Sequence, residues 1–315
     1  MDLDGLTAEV DEILADVEEP PTTPHLRLAE RRPVHSWYVV AGDFHADHVR
    51  DVGREAEGLI LEHAEEFLDC LGGDDALMAK VLEKLAAEPV EDLRLDFTPW
   101  TGDRVVDRAA VSWTSASASG DLPDHAGIRI PALGRETRAR AVRTLGRFLE
   151  GVGEVPPGFV VTVRTVTGVA QVEALVHLAE RVEKELTGNL RFEVQLESPR
   201  AVISPEGVLE IARMLDEGRD RIAAVQLVPD GFGSDRLLEH ALTQVQVAAH
   251  GRDLRLVDGA TVRIARGDTV VDVWTRHLAQ VRRALERGLL QGRDAHPAAL
   301  PSRYAATYAF SDSSA

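Results

Sequence analysis

The sequence predicts an α/β protein built as a closed (β/α)8 TIM barrel, with an N-terminal helical extension and a C-terminal tail. Three observations predict it. Short apolar runs alternate with longer amphipathic patterns about eight times along the chain. No G-x-G-x-x-G fingerprint follows any of these runs, which argues against an open dinucleotide-binding sheet. A length of 315 residues suits one α/β barrel with an extension.

Residues 1–33 stand apart. Leu6, Val10, Ile13, Leu14 and Val17 recur at helical spacing among acids, and Pro20, Pro21 and Pro24 then break the pattern. This reads as an amphipathic extension and linker, packing on the body or on a sister subunit, ahead of a barrel domain at 34–315. Strands are expected at His35–Ala41, Asp92–Phe97, Gly127–Pro131, Phe159–Thr165, Leu190–Leu196, Ile222–Val228 and Leu254–Val257, with Gly292–His296 supplying the eighth. Helices are expected at Ala46–Leu71, Asp75–Ala87, Thr137–Glu150, Val169–Thr187, Pro205–Glu217, Asp235–Ala249 and Thr269–Leu290. Ser204 and Pro205 read as the cap and first turn of one of them. The small, polar stretch Ser112–Asp124 reads as a frayed helix end and loop.

Composition excludes several classes. With 53 acidic against 35 basic side chains and a net charge of −18, neither nucleic acid nor an anionic membrane surface is an expected partner. No run of about 18 apolar residues could span a bilayer. No basic-then-apolar leader opens the chain, and the single Cys70 makes no internal disulfide, so a cytoplasmic location is expected. Lysine occurs only at Lys80, Lys84 and Lys184, all on helical patterns, which argues against Schiff-base and pyridoxal chemistry. No Gly-Lys pair exists to form a phosphate-cradling P-loop.

A barrel carries its chemistry at the C-terminal strand ends. Arg129 ends the third strand in GIRIP, Glu197 ends the fifth, Asp230 follows the sixth, and His296 precedes Pro297 after the last. Strands lie ~4.8 Å apart, so Glu197 and Asp230 can reach one ion. Two carboxylates without Cys or His suit Mg²⁺ or Mn²⁺. Arg129 suits a substrate carboxylate. Glu193, Gln195 and Glu197 share one strand face, and three polar residues pointing into a barrel imply a site or a fully paired network.

RFEVQLESPRAV, the aspartate after the next strand, GIRI and the closing HPAALPSRYAATYAF, with VHSWYV and EPVEDLRLDF earlier, resemble the metal-dependent aldolase and citrate lyase beta-subunit family of HpcH/HpaI type, nearest to an actinobacterial aldolase-like branch. The resemblance spans roughly residues 34–310. It implies a barrel binding Mg²⁺ or Mn²⁺ through Glu197 and Asp230, and Arg129 holding a substrate carboxylate. It also implies carbon–carbon lyase or aldolase chemistry on a 2-oxo acid or acyl-CoA thioester through a metal-stabilised enolate, and a homo-oligomer in which the apolar tail Tyr304–Phe310 meets a neighbour.

The chain departs from that family where chemistry is expected. Thr98 and Pro99 replace a Glu-Asp pair, Arg164 and Thr165 replace Pro-Lys, and Leu227-Val228-Pro229 replaces a glycine-containing turn. Arg164 can stand in for the lost lysine, Trp100 can wall an apolar pocket, and Asp103 can restore an acid. Two alternatives follow: a non-catalytic subunit, or a specialised biosynthetic enzyme without the usual metal. Elsewhere, His45 and His48 read as part of a helix-start cluster with Asp43 and Asp47 rather than a zinc site. His277 reads as packing or surface, Cys70 as inert, and the tryptophans other than Trp100 as core.

Overall fold

The computed structural model describes residues 32–314, and before them Glu12 alone. The expected extension at 1–33 therefore lies outside the described residues, apart from Glu12, Arg32 and Pro33. Eight parallel strands close in sequence order into a barrel. They are β1 His35–Val40, β2 Asp92–Asp96, β3 His125–Ile130, β4 Phe159–Val163, β5 Arg191–Leu196, β6 Ile222–Leu227, β7 Arg255–Asp258 and β8 Gln291–Asp294.

The surrounding helices are α1 His48–Glu62, α2 Ala64–Cys70, α3 Asp75–Ala87, α4 Asp103–Ser119, α5 Arg138–Val152, α6 Val169–Val182, α7 Glu210–Gly218, α8 Asp235–Ala249, α9 Val270–Glu286 and α10 Ala299–Ser314. Among the described residues no helix is long and apolar enough to cross a membrane.

Period-two alternation sets the two faces of every strand. Trp37, Val39, Leu93, Leu95, Ile128, Val161, Val194 and Val225 point outward into the shell of helices and form the apolar core. Most of the inward positions are polar. Arg94, fully buried, forks Asp92 and reaches the Thr162 hydroxyl at 3.3 Å. Thr162 donates to Glu193 at 2.9 Å, and the Tyr38 hydroxyl donates to the same carboxylate at 3.0 Å. Ser36 and Gln291 also donate to Asp92, and Arg255 approaches it at 3.5 Å. Arg94 and Arg255 thus balance Asp92 and Glu193, which is the pairing that buried charge requires.

Four helical readings need correction. The expected helix from Ala46 to Leu71 starts at His48 and breaks at His63, whose φ of −129° and ψ of 43° leave the helical region. Asp43 is no cap, and Asp47 stands at the N-cap without a side-chain capping bond. Ser204 and Pro205 do not open α7. Gly207 takes a positive φ of 79°, a turn forms, Ile203 bridges to Leu209, and the helix begins only at Glu210. The serine-rich stretch continues α4 to Ser119, because Trp113 and Ala116 are buried, while the Thr114 and Ser115 hydroxyls donate to the carbonyls of Ala110 and Val111. Gly120 in the left-handed region then ends it.

The tail packs on its own chain. α10 contacts α3 and α9, Tyr304 is buried, and its hydroxyl donates to the Pro89 carbonyl at 3.0 Å.

Candidate active site

Arg129 is the best-defined residue at the C-terminal mouth. Its side chain is 4% exposed and forks the Asp96 carboxylate, with Nε to Oδ1 at 2.7 Å. Burial works against its charge, yet the bonds to Asp96 hold its pKa above the ordinary arginine value. The guanidinium stands 4.7 Å from the centre of the Tyr38 ring, and a second guanidinium, Arg293 from β8, stands 4.6 Å from the same ring. Burial and the neighbouring charge of Arg129 pull the Arg293 pKa below its ordinary value. The Arg293 Nε is buried without a hydrogen-bond partner, and among the described residues no carboxylate pairs with the group. Arg164 follows β4, and its charge is also felt by Arg293.

Glu197 is three-quarters buried at the end of β5. Its Oε2 accepts from the Thr165 hydroxyl at 2.9 Å, and Oε1 lies 4.0 Å from Arg164 Nε. Thr165 adopts a positive φ of 51°, a strained conformation for a β-branched residue. Below Glu197, Gln195 donates to Gln226, and Gln195 Oε1, Gln226 Nε2 and Glu193 Oε2 are buried without partners. The mouth thus opens onto polar groups with unused bonding capacity.

Asp230 is placed differently. Its side chain is 81% exposed and pairs with the equally exposed Arg263 at 3.0 Å. The backbone beside it is tightly seated: a Cβ on Gly231 would lie 1.5 Å from the Glu197 carbonyl oxygen, so only glycine fits. The two backbones therefore touch, while the two carboxylates serve different partners. Among the described residues no group of three or more His, Cys, Asp or Glu side chains is arranged to hold a metal ion. As placed, these donors do not fit a divalent cation. Each carboxylate faces an arginine, Glu197 facing Arg164 and Asp230 facing Arg263.

Other residues weighed as candidates stand in solvent or keep partners outside this cluster. Trp100 is 91% exposed. His296 is exposed, and its Nδ1 accepts from the Ala298 amide at 3.2 Å as α10 begins. Asp103 pairs with Arg140 and Arg143 between α4 and α5, so it restores no acid at the mouth. His48 accepts from the Trp37 indole at 3.4 Å, which makes it a packing partner.

His277, Ser302 and Asp294 have the connectivity of a hydrolytic triad: Nδ1 to Ser302 Oγ is 2.8 Å and Nε2 to Asp294 is 3.1 Å. All three are buried between β8, α9 and α10, and Arg303 occupies the rest of Asp294. No substrate reaches that serine, so the cluster is a structural lock.

Tyr38, Asp96 and Arg293 stand beside Arg129, and sequence reading did not single them out. Applying the period-two rule to β1 and β8, as it applies to β5, puts Tyr38 in line with Ser36 and Arg293 in line with Gln291, all facing inward.

A family model described as "Domain of unknown function (DUF6986)" matches residues 25–230 and 235–315. The chain belongs to that family. No curated protein matches the sequence. Among solved structures, this DUF6986 barrel is similar to the Haloferax volcanii malate synthase lead(II) complex, at 15% identity over 68% of this chain and 64% of that one, with a TM-score of 0.50. It is also similar to the citrate lyase beta subunit from M. tuberculosis, complexed with oxaloacetate and magnesium (15%, 74% and 93%, TM-score 0.47). RipC from Yersinia pestis is a third such structure (14%, 70% and 90%, TM-score 0.49). At 15% identity the likeness to the malate synthase speaks for the barrel fold alone.

Proposed function

We propose that this chain is an enzyme of the carbon–carbon lyase or aldolase type that takes a small carboxylate, a 2-oxo acid or an acyl thioester, at the barrel mouth. In this reading Arg129, Arg164 and Arg293 hold the carboxylate and the oxygen on which charge builds. The observation that carries it is Arg293: a half-buried guanidinium without an acid partner, beside two other arginines. Such a group costs free energy in the empty site and is repaid when an anion enters.

Asp96 fixes Arg129, and the Tyr38 ring seats both Arg129 and Arg293, so the donors are set before substrate arrives. Glu197 keeps Oε1 free of hydrogen bonds at the mouth, where it takes or returns the proton at the carbon beside the substrate carbonyl. Thr165 holds the other oxygen and so orients it.

Magnesium or manganese bound by Glu197 and Asp230 is the competing reading, favoured by the close seating of Gly231 on the Glu197 backbone. It requires Asp230 to leave Arg263 and Glu197 to leave Thr165.

Glu197→Gln separates the two. With Glu197 as the base, the variant binds oxalate or pyruvate like the parent and loses turnover of 2-oxo acids. Loss of Mg²⁺ or Mn²⁺ affinity on that substitution would favour the metal reading instead. The same site is expected to act in a homo-oligomer, which sedimentation of the purified chain checks.

A further inference from the structure

At the opposite end of the barrel, β3, β5 and β7 begin with His125, Arg191 and Arg255. Alternate strands of a closed eight-stranded barrel contribute the side chains of one layer, so these three basic residues belong to the bottom layer. In many barrels bulky aliphatic side chains plug that layer. Here the intervening strands offer Val160, paired with Arg191, and Ala224, paired with Arg255, which bring bulk or smallness without charge. The three basic residues line a cavity of ≈ 340 Å³ that opens at the N-terminal face. That volume is in the range of small-molecule pockets.

Around the cavity, and among the described residues, Arg191 is the cation left without a carboxylate partner. At the rim, Arg32 and Asp253 neutralise each other at 2.9 Å. Arg255 is mostly buried, and its carboxylate contact, Asp92 Oδ2, is 3.5 Å away on a group already bonded by Arg94, Ser36 and Gln291. Arg191 spends its Nε on the Asp220 backbone carbonyl, and among the described residues no carboxylate pairs with it. Burial pulls Arg255 and His125 below their ordinary pKa values, with the Asp92 charge acting against it on both.

We infer that this N-terminal-face cavity binds a small tetrahedral oxyanion, the phosphate group of inorganic phosphate or of a phosphomonoester, between His125, Arg191 and Arg255. Donors arriving from three strands suit a tetrahedral group better than a planar carboxylate, which one fork satisfies. The inference stands on residues at the far end of the barrel from the mouth and does not depend on the proposed activity.

The test is calorimetric titration of inorganic phosphate into the full chain already saturated with oxalate, with thermal unfolding followed alongside. One equivalent of phosphate is expected to bind and to raise the unfolding midpoint. Arg191→Gln and His125→Gln are each expected to weaken phosphate binding at least tenfold. Both are preferred to a change at Arg255, which also balances Asp92. Glycerol phosphate run in parallel tells the sources apart: tighter binding than phosphate assigns a phosphomonoester, weaker binding assigns the free ion. Absence of heat and of stabilisation with both ligands would overturn the inference. So would two folded variants that bind phosphate like the parent.

Discussion

Arg293→Met is expected to improve the fold and impair the site. In the parent, a half-buried guanidinium sits beside Arg129 and within reach of the Arg164 charge, without an acid to pair with. An incompletely solvated charge of this kind costs about 2 kcal/mol, to which its position over the Tyr38 ring returns about 0.5–1 kcal/mol. Methionine fills similar volume and keeps a sulfur–aromatic contact. The net gain is about 1 kcal/mol, worth about 2 °C for a domain of this size. A hydrogen bond from guanidinium to a bound carboxylate is worth about 1.5–3 kcal/mol, so oxalate affinity should fall about 10- to 150-fold. Urea unfolding measures the first effect and calorimetric titration the second. A variant that is less stable and binds oxalate unchanged would refute the reasoning, since Arg293 would then be a satisfied structural residue.

Two further outcomes follow from buried groups. Asp294→Asn should cost about 3–5 kcal/mol in urea unfolding, because it strips Arg303 and His277 of a fully buried partner. Burial opposes ionisation of Asp294, but Arg303 and then His277 hold its carboxyl far below the usual range; its stabilisation is present above the unfolded pKa of ~3.9 and is lost as pH falls below that, so the variant's acid limb should be shallower. His48 is held down to about 4, first by burial and then by His45. The fold prefers the neutral ring, which accepts from Trp37, so this contribution is full above the unfolded pKa of ~6.5 and drains away as pH falls towards 4. His48→Gln, which keeps an acceptor but does not titrate, should flatten the urea midpoint between those pH values; an unchanged slope would count against it.

The barrel was legible because its strands obey period two and its helices a longer repeat. Even Gly292–His296, short and polar, falls on β8. Ends governed by one backbone angle were not legible: nothing in the apolar pattern announces the break at His63 or the turn at Gly207. At the candidate site, the positions of Arg129 and Glu197 were legible because strand ends face the mouth. The partners that decide their chemistry were not, because Asp96, Tyr38 and Arg293 come from strands distant in sequence, and closure of the barrel alone brings them together. Glu197 and Asp230 illustrate the limit. Adjacent strands put their backbones in contact, yet side-chain pairing with Thr165 and Arg263 sets where the carboxylates point.

Titrating EDTA-treated protein with oxalate, then with Mg²⁺ or Mn²⁺, is the most direct measurement of whether the mouth is built for an anion or for a cation. Oxalate binding that needs no metal and is lost when Arg129 or Arg293 is replaced is the predicted result. Tight binding of the divalent ion alone, with oxalate binding only in its presence, would contradict it.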